Sequence, residues 1–257
     1  MTRKLPFESI ENFRDFGDYG AGARRIRKGV LYRAAHQAEA TDADLETLAG
    51  LGLSLIVDLR RPNERTRSPS RRWAGFDAEV IENHEGEEHD DPWHAFIAGS
   101  DLSSKAFTDY MVGYYSAAPF VPRHVDLYSR YFQRLGHIEG AALIHCAAGK
   151  DRTRILAALT HHIAGVHEDD IFADFLLTND PARFERRIPI MRQAILEATG
   201  REATDEGLIT ALGVEQHYLE TAFAAIHAAH PSLDHYLETV LGVDSKTRAA
   251  IEAKILE

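Results

Sequence analysis

The sequence predicts an α/β fold, and three observations carry that prediction. A helix-length stretch, TDADLETLAG (41–50), runs directly into LSLIVDLR (53–60), an apolar segment of strand length. A second amphipathic helix leads into a second such strand, AALIHC (141–146), which then opens into RTRILAALTHHIAG, again helical in character. Short apolar runs of this kind, alternating with helices, are strands buried on both faces.

The elements follow in chain order. GVLYRAA (29–35) reads as a strand bounded by glycine and polar residues. In 41–50, Thr41 is the N-cap, Leu45 and Leu48 fall at helical spacing, and Gly50 is the stop. FDAEVIEN (76–83) is a further strand. Residues 84–122 are less regular: HEGEEHDDPWHAF is acidic and histidine-rich, and AFTDYMVGYYSAAPF carries aromatics without strand alternation. So long a stretch inside a compact domain reads as a partly helical lid. In PRHVDLYSRYFQRLGHI, Val125, Tyr128, Phe132 and Leu135 mark one helical face and Gly136 ends it. From about 204 to 257, EQHYLETAFAAIHAAH, SLDHYLETVLG and SKTRAAIEAKILE read as three short helices packed on the same core. The expectation is one domain, residues 1–257.

Composition narrows the function. At 44% apolar and 27% charged, the 257-residue chain has the make-up of a globular protein. It has no apolar run of membrane-spanning length and no signal-peptide core, so a cytoplasmic protein without stable membrane insertion is expected. A net charge of −11 disfavours nucleic acid as a partner, since phosphate contacts need a basic face. Local charge runs the other way at 60–72, where Arg60, Arg61, Arg65, Arg67, Arg71 and Arg72 accompany one acid, Glu64. That segment is either a solvated arginine-rich loop or a place to meet an anion. His84, His89 and His94, among Glu85, Glu87, Glu88, Asp90 and Asp91, fit no metal-ligand spacing; no metal and no cofactor is expected.

The single cysteine, Cys146, cannot form an intramolecular disulfide and must be explained by packing or reactivity. It opens CAAGKDRT at a strand-to-helix junction. Five residues separate Cys146 from Arg152, enough for Ala147, Ala148, Gly149, Lys150 and Asp151 to curl so that their amides converge on one anion. Gly149 supplies the positive φ that the curl needs. Amide dipoles, a helix N-terminus and the Arg152 guanidinium would stabilise a thiolate, making Cys146 a nucleophile at neutral pH. Arg152 can grip two phosphate oxygens with its planar fork, and Thr153 is placed to offer its hydroxyl to the sulfur. His145 is either an orienting group or a core histidine.

HCAAGKDRT resembles the phosphate-binding loop of the cysteine-dependent protein tyrosine phosphatase superfamily: HC, five residues, R, then S or T. NFRDFGDYG (12–20), LYRAAH (31–36), VDLR (57–60) and GVEQHYLETAF (213–223) resemble, in order, further motifs of its bacterial and fungal tyrosine/serine phosphatase family. The resemblance implies a central, mostly parallel sheet flanked by helices. It also implies metal-free hydrolysis of phosphomonoesters through a phosphocysteine, on phosphotyrosine and, in some members, phosphoserine, phosphothreonine or phosphoinositides. Partners would be phosphorylated proteins or lipids, with inorganic phosphate or other oxyanions in the site. Lys150 and Asp151 are shared with lipid-active relatives. The family commonly has glycine where this chain has Arg154. A cation in a helix's first turn opposes the macrodipole by roughly 0.3–1 kcal/mol. Arg154 is therefore expected to pair with a carboxylate or to reach a second anionic group of the substrate.

Expelling the leaving group needs a proton donor, and hydrolysing the intermediate needs a base; one carboxyl can do both. Asp151 in the loop, Asp58 at the end of its strand, and an acid from the lid such as Asp91 are the candidates. Asp58 qualifies if its strand runs parallel to AALIH, because both then end at the same sheet edge. Asn12, Arg14 and Asp15 read mainly as a packing and turn element. Two rival functions share the loop: a sulfurtransferase and a non-catalytic phosphate-binding module.

Overall fold

The computed structural model describes residues 4–84 and 92–257. The strands are β1 (Arg14–Asp15), β2 (Gly20–Ala21), β3 (Arg24–Arg25), β4 (Leu31–Ala34), β5 (Leu53–Asp58), β6 (Glu79–Ile81) and β7 (Ala141–His145). The helices before β7 are α1 (Asp42–Ala49), α2 (Pro62–Arg67), α3 (Pro92–Gly99), α4 (Ser104–Ala117) and α5 (Pro122–Leu135). After β7 come α6 (Asp151–Ala164), α7 (Glu168–Leu176), α8 (Pro181–Thr199), α9 (Asp205–Leu212), α10 (Gln216–Ala229), α11 (Leu233–Thr239) and α12 (Ser245–Ile255).

The five-stranded sheet has the order β1-β4-β7-β5-β6, parallel throughout except for β1, which pairs antiparallel with β4. This is the predicted α/β architecture with a mostly parallel sheet. Strand alternation divides the core: Leu55 and Val57 of β5 face the same side as Ala142 and Ile144 of β7. Leu53, Ile56, Ala141 and Leu143 face the other. Both central strands are covered on two faces, which is why they read as unbroken apolar runs rather than alternating ones.

The predicted strands at 29–35 and 76–83 are shorter than expected, four and three residues long. Helix α1 begins as predicted: Thr41 accepts from the Asp44 amide, and the Asp44 carboxylate accepts from the Thr41 amide. Helices α2, α7 and α8 were not anticipated, and α9 precedes the three C-terminal helices that were. The Arg60–Arg72 segment is solvated only in part: Arg67 and Arg71 are exposed, and residues 62–67 are helical. Arg60 is 1% exposed, and Pro62 starts α2 at a position where its missing amide hydrogen costs nothing.

Helix α7 supplies a carboxylate to the buried side of the sheet. Asp174 accepts from Arg33 at 2.8 Å and from Arg14 at 3.4 Å, with all three side chains 3% exposed or less. Burial opposes the charged carboxylate, and the two guanidinium groups overcome it, holding Asp174 well below the usual carboxylate range. Removing one partner of such a group strands buried charge. Asp174→Ala is expected to destabilise the fold by about 3–5 kcal/mol, seen as a lower urea midpoint with an unchanged slope.

Candidate active site

Strand β7 ends at His145, the chain turns through residues 146–150, and α6 begins at Asp151. What shapes this turn is the treatment of its carbonyls. The Ala147 oxygen accepts from the His36 amide at 3.2 Å, the Ala148 oxygen from Asn12 Nδ2 at 2.6 Å, and the Gly149 oxygen from Arg33 Nη2 at 3.4 Å. In a planar trans peptide the carbonyl and the following N–H point in opposite directions. Three consecutive carbonyls held on the outside therefore turn the amides of Ala148, Gly149 and Lys150 inward, as an anion nest requires.

Gly149 has φ 62°, and a Cβ there would lie 2.5 Å from the Ala34 carbonyl carbon, so only glycine fits. Asn12 also holds a positive φ, 56°, a conformation asparagine tolerates better than most residues. Its role is thus more direct than the packing element read from sequence.

A cavity of about 780 Å³ opens over this turn, lined by Cys146, Ala147, Ala148, Lys150, Asp151 and Arg152. Arg61, which precedes α2, and Asn63, Glu64 and Arg67 of α2 form one wall. Trp93 of α3, Tyr110 and Tyr114 of α4, and Arg183, Arg187 and Met191 of α8 form others. Cys146 is only 2% exposed, yet it faces this space.

Arg152 is held by a residue for which sequence reasoning assigned no role. Its Nη1 donates to Glu64 Oε2 at 2.5 Å, its Nη2 to Glu64 Oε1 at 2.8 Å, and Nη1 also to the Leu59 carbonyl at 3.1 Å. Burial alone would raise the Glu64 carboxyl, but the paired guanidinium brings it down to about 2. The pair is therefore intact across neutral and mildly acid pH and is lost only as pH falls from the ordinary carboxylate range toward about 2. The one acid in the arginine-rich segment was the available signal.

The acids separate clearly. Asp151 lines the cavity, accepts from the Tyr115 hydroxyl at 2.9 Å, and lies 3.6 Å from Lys150 Nζ. Asp58 ends β5 in register with His145, on the sheet edge where a parallel arrangement was expected to put it. Its carboxylate, however, is closed by Arg60, which donates from its amide, Nε and Nη2 at 2.7–3.2 Å. Burial disfavours that charge, and Arg60 nonetheless holds the carboxyl well below its usual range. Asp58 is 2% exposed and does not line the cavity, so the structure places it as the anchor of Arg60. Asp91 lies outside the described residues, as do Glu85, Glu87, Glu88, His89 and Asp90.

Other expectations change with the geometry. Lys150 Nζ donates to the Ala211 and Gly213 carbonyls, at 2.8 and 3.3 Å, so its ammonium is already engaged at the end of α9. Thr153 is fully buried, its hydroxyl makes no hydrogen bond, and neither it nor Gly149 lines the cavity. His145 is buried with neither ring nitrogen hydrogen-bonded, 3.8 Å from Asp58; burial lowers it to about 3, so it is a neutral core histidine. Arg154 meets neither expectation. Its guanidinium is 1% exposed, lies 4.8 Å from the Phe175 ring centroid, and has no hydrogen-bond partner.

A sequence model described as the tyrosine phosphatase family matches residues 5–257. The chain belongs to that family. A Cupriavidus necator protein named among the tyrosine-protein phosphatases is 34% identical over 245 residues, covering 93% of this chain and 85% of that protein. The triple specificity protein phosphatase PtpB of Mycobacterium tuberculosis is 28% identical over 270 residues, 92% of each chain. A Nostoc commune tyrosine-protein phosphatase is 31% identical over 159 residues, 61% of this chain and 50% of that one. No helix among the described residues is long and apolar enough to cross a membrane.

The Glu64–Arg152 pair yields a direct test. Glu64→Gln keeps the shape but removes the charge that sets the guanidinium plane. The turnover efficiency kcat/KM on an aryl phosphate is expected to fall about ten- to hundredfold, with the thermal midpoint shifted by only a few degrees.

Proposed function

We propose that the protein is a phosphomonoester hydrolase that works through a phosphocysteine, with Cys146 as nucleophile, Arg152 as phosphate clamp and Asp151 as the acid and base. The observation that supports it best is that Cys146, Arg152 and Asp151 all line one cavity. Ala147, Ala148, Gly149 and Lys150 contribute backbone to the cradle.

The Cys146 thiolate attacks phosphorus, an S–P bond forms, and the P–O bond to the leaving group breaks. Asp151 gives its proton to the departing oxygen. Tyr115 donates to Asp151 Oδ1, and Oδ2 lies 3.6 Å from Lys150 Nζ, so the carboxyl is held in place at both oxygens. The Asp151 carboxylate then takes a proton from water as that water attacks phosphorus, the S–P bond breaks, and phosphate leaves. Charge on the equatorial oxygens is met by the amides and by Arg152, in the manner of a preorganised oxyanion site. This account routes no step through a metal.

Phosphotyrosine is the proposed principal substrate, since a cavity with the aromatic rings of Trp93, Tyr110 and Tyr114 in its walls suits an aromatic ester. Phosphoserine, phosphothreonine and phosphoinositides are proposed further substrates. The likeness to triple specificity PtpB and the arginines on α2 and α8 support that breadth. Lys150→Ala in a side-by-side panel of phosphotyrosine peptide, phosphoserine peptide and phosphoinositide would show whether the loop lysine biases this choice.

The roles are separable by kinetics. Cys146→Ser is expected to lose turnover while retaining phosphate or vanadate binding. Asp151→Asn is expected to slow phenyl phosphate, with its poor leaving group, about a hundredfold or more, and nitrophenyl phosphate much less. Equal slowing of both would remove Asp151 from the acid role.

A further inference from the structure

Helix α4 divides its side chains between two jobs. Phe107, Met111 and Tyr115 are buried toward the core, at i, i+4 and i+8. Tyr110 and Tyr114, at i and i+4 on a neighbouring face, line the cavity over the cysteine turn. The tyrosine pair at 114–115 therefore straddles the boundary, its rings edge-on at 84° with centroids 5.5 Å apart. Tyr115 spends its hydroxyl on Asp151. The Tyr114 hydroxyl is also buried, but it has no hydrogen-bond partner.

A buried donor with nothing to donate to is unfavourable, and phenylalanine would fill the same volume without that cost. The position is explained if the partner arrives with the ligand. Tyr114 lines the same cavity as Arg152, Asp151 and Cys146, the three groups that would surround a bound phosphoryl group. Resting on the phosphatase reading of this cavity, we infer that Tyr114 is a further catalytic residue, donating a hydrogen bond from its hydroxyl to a non-bridging oxygen of the transferring phosphoryl group.

The competing acceptor, the leaving-group oxygen, already has its donor in Asp151. Burial pushes the Tyr114 hydroxyl far above its ordinary value, so it keeps its proton throughout and acts as a hydrogen-bond donor, with no proton transferred. Its role is thus the same in both chemical steps, because each passes through a phosphoryl group with the same equatorial oxygens.

The test uses the full-length protein, orthovanadate as the probe of the oxyanion site, and two substrates, nitrophenyl phosphate and phenyl phosphate. Tyr114→Phe is expected to weaken vanadate inhibition about tenfold or more and to lower kcat on both substrates by a similar factor. Its thermal midpoint should be unchanged or raised, since no protein contact of the hydroxyl is lost. Tyr115→Phe provides the contrast: its loss should fall mainly on phenyl phosphate, because it acts through Asp151. Unchanged vanadate inhibition and rates in Tyr114→Phe would overturn the inference, as would a loss confined to phenyl phosphate. Tyr114→Leu should reproduce the vanadate result and guards against a fold defect peculiar to one variant. If instead Cys146→Ser turned over both substrates like the parent protein, the phosphocysteine reading of this cavity would fail, whatever Tyr114 does.

Discussion

The site depends on one constraint: the carbonyls of Ala147, Ala148 and Gly149 must face away from the cavity. Each is held by a donor from another part of the chain, Asn12, His36 or Arg33. Remove that hold and the amides, which share the same rigid peptide planes, would no longer converge. Gly149 makes the arrangement possible by letting the turn lie against Ala34 at a distance that no side chain permits. The turn's shape is thus set by the neighbouring strand β4 and the segments on either side of it.

Around this turn, the protein builds a positive interior in a chain of net charge −11. The acids closest to it are distributed rather than pooled. Asp58 anchors Arg60, Glu64 anchors Arg152, and Asp174 anchors Arg14 and Arg33. Asp151, held by Tyr115 and near Lys150, is the acid of this group whose carboxyl remains on the cavity as a proton carrier in the proposed cycle. Arg154 stands outside the pattern, stacked on Phe175 without a carboxylate. Its cost is offset in part by the cation–π contact, worth roughly 2 kcal/mol when desolvated.

Much of this was legible before any coordinates. The strand-to-helix placement of Cys146, the reach from Cys146 to Arg152 and the glycine between them follow from local chain geometry, and the structure has them as read. Asp58 was legible only halfway: its place at the sheet edge followed from the strand, but its engagement with Arg60 did not. What fixes the Arg60 guanidinium against Asp58 is the Ser68 carbonyl and the Ser70 hydroxyl, both partly buried and brought there only when the chain folds back. The arginine-rich segment stayed open between a solvated loop and an anion site for a related reason. Composition counts charges, whereas exposure depends on carbonyls and carboxylates contributed by other segments.

The sequence by itself determined the α/β alternation and the placement of Cys146 and Arg152 on one strand–turn–helix junction, because short-range spacing and periodicity dictate a strand, a tight turn and a helix start. Tertiary structure alone decided which acid stays free, which residue aims Arg152, and which tyrosine faces the cavity. Those are questions of who reaches a given buried polar atom first, and the contenders lie as much as 136 residues apart, as Asn12 and Ala148 do. No local pattern encodes such a competition; only the packed arrangement resolves it.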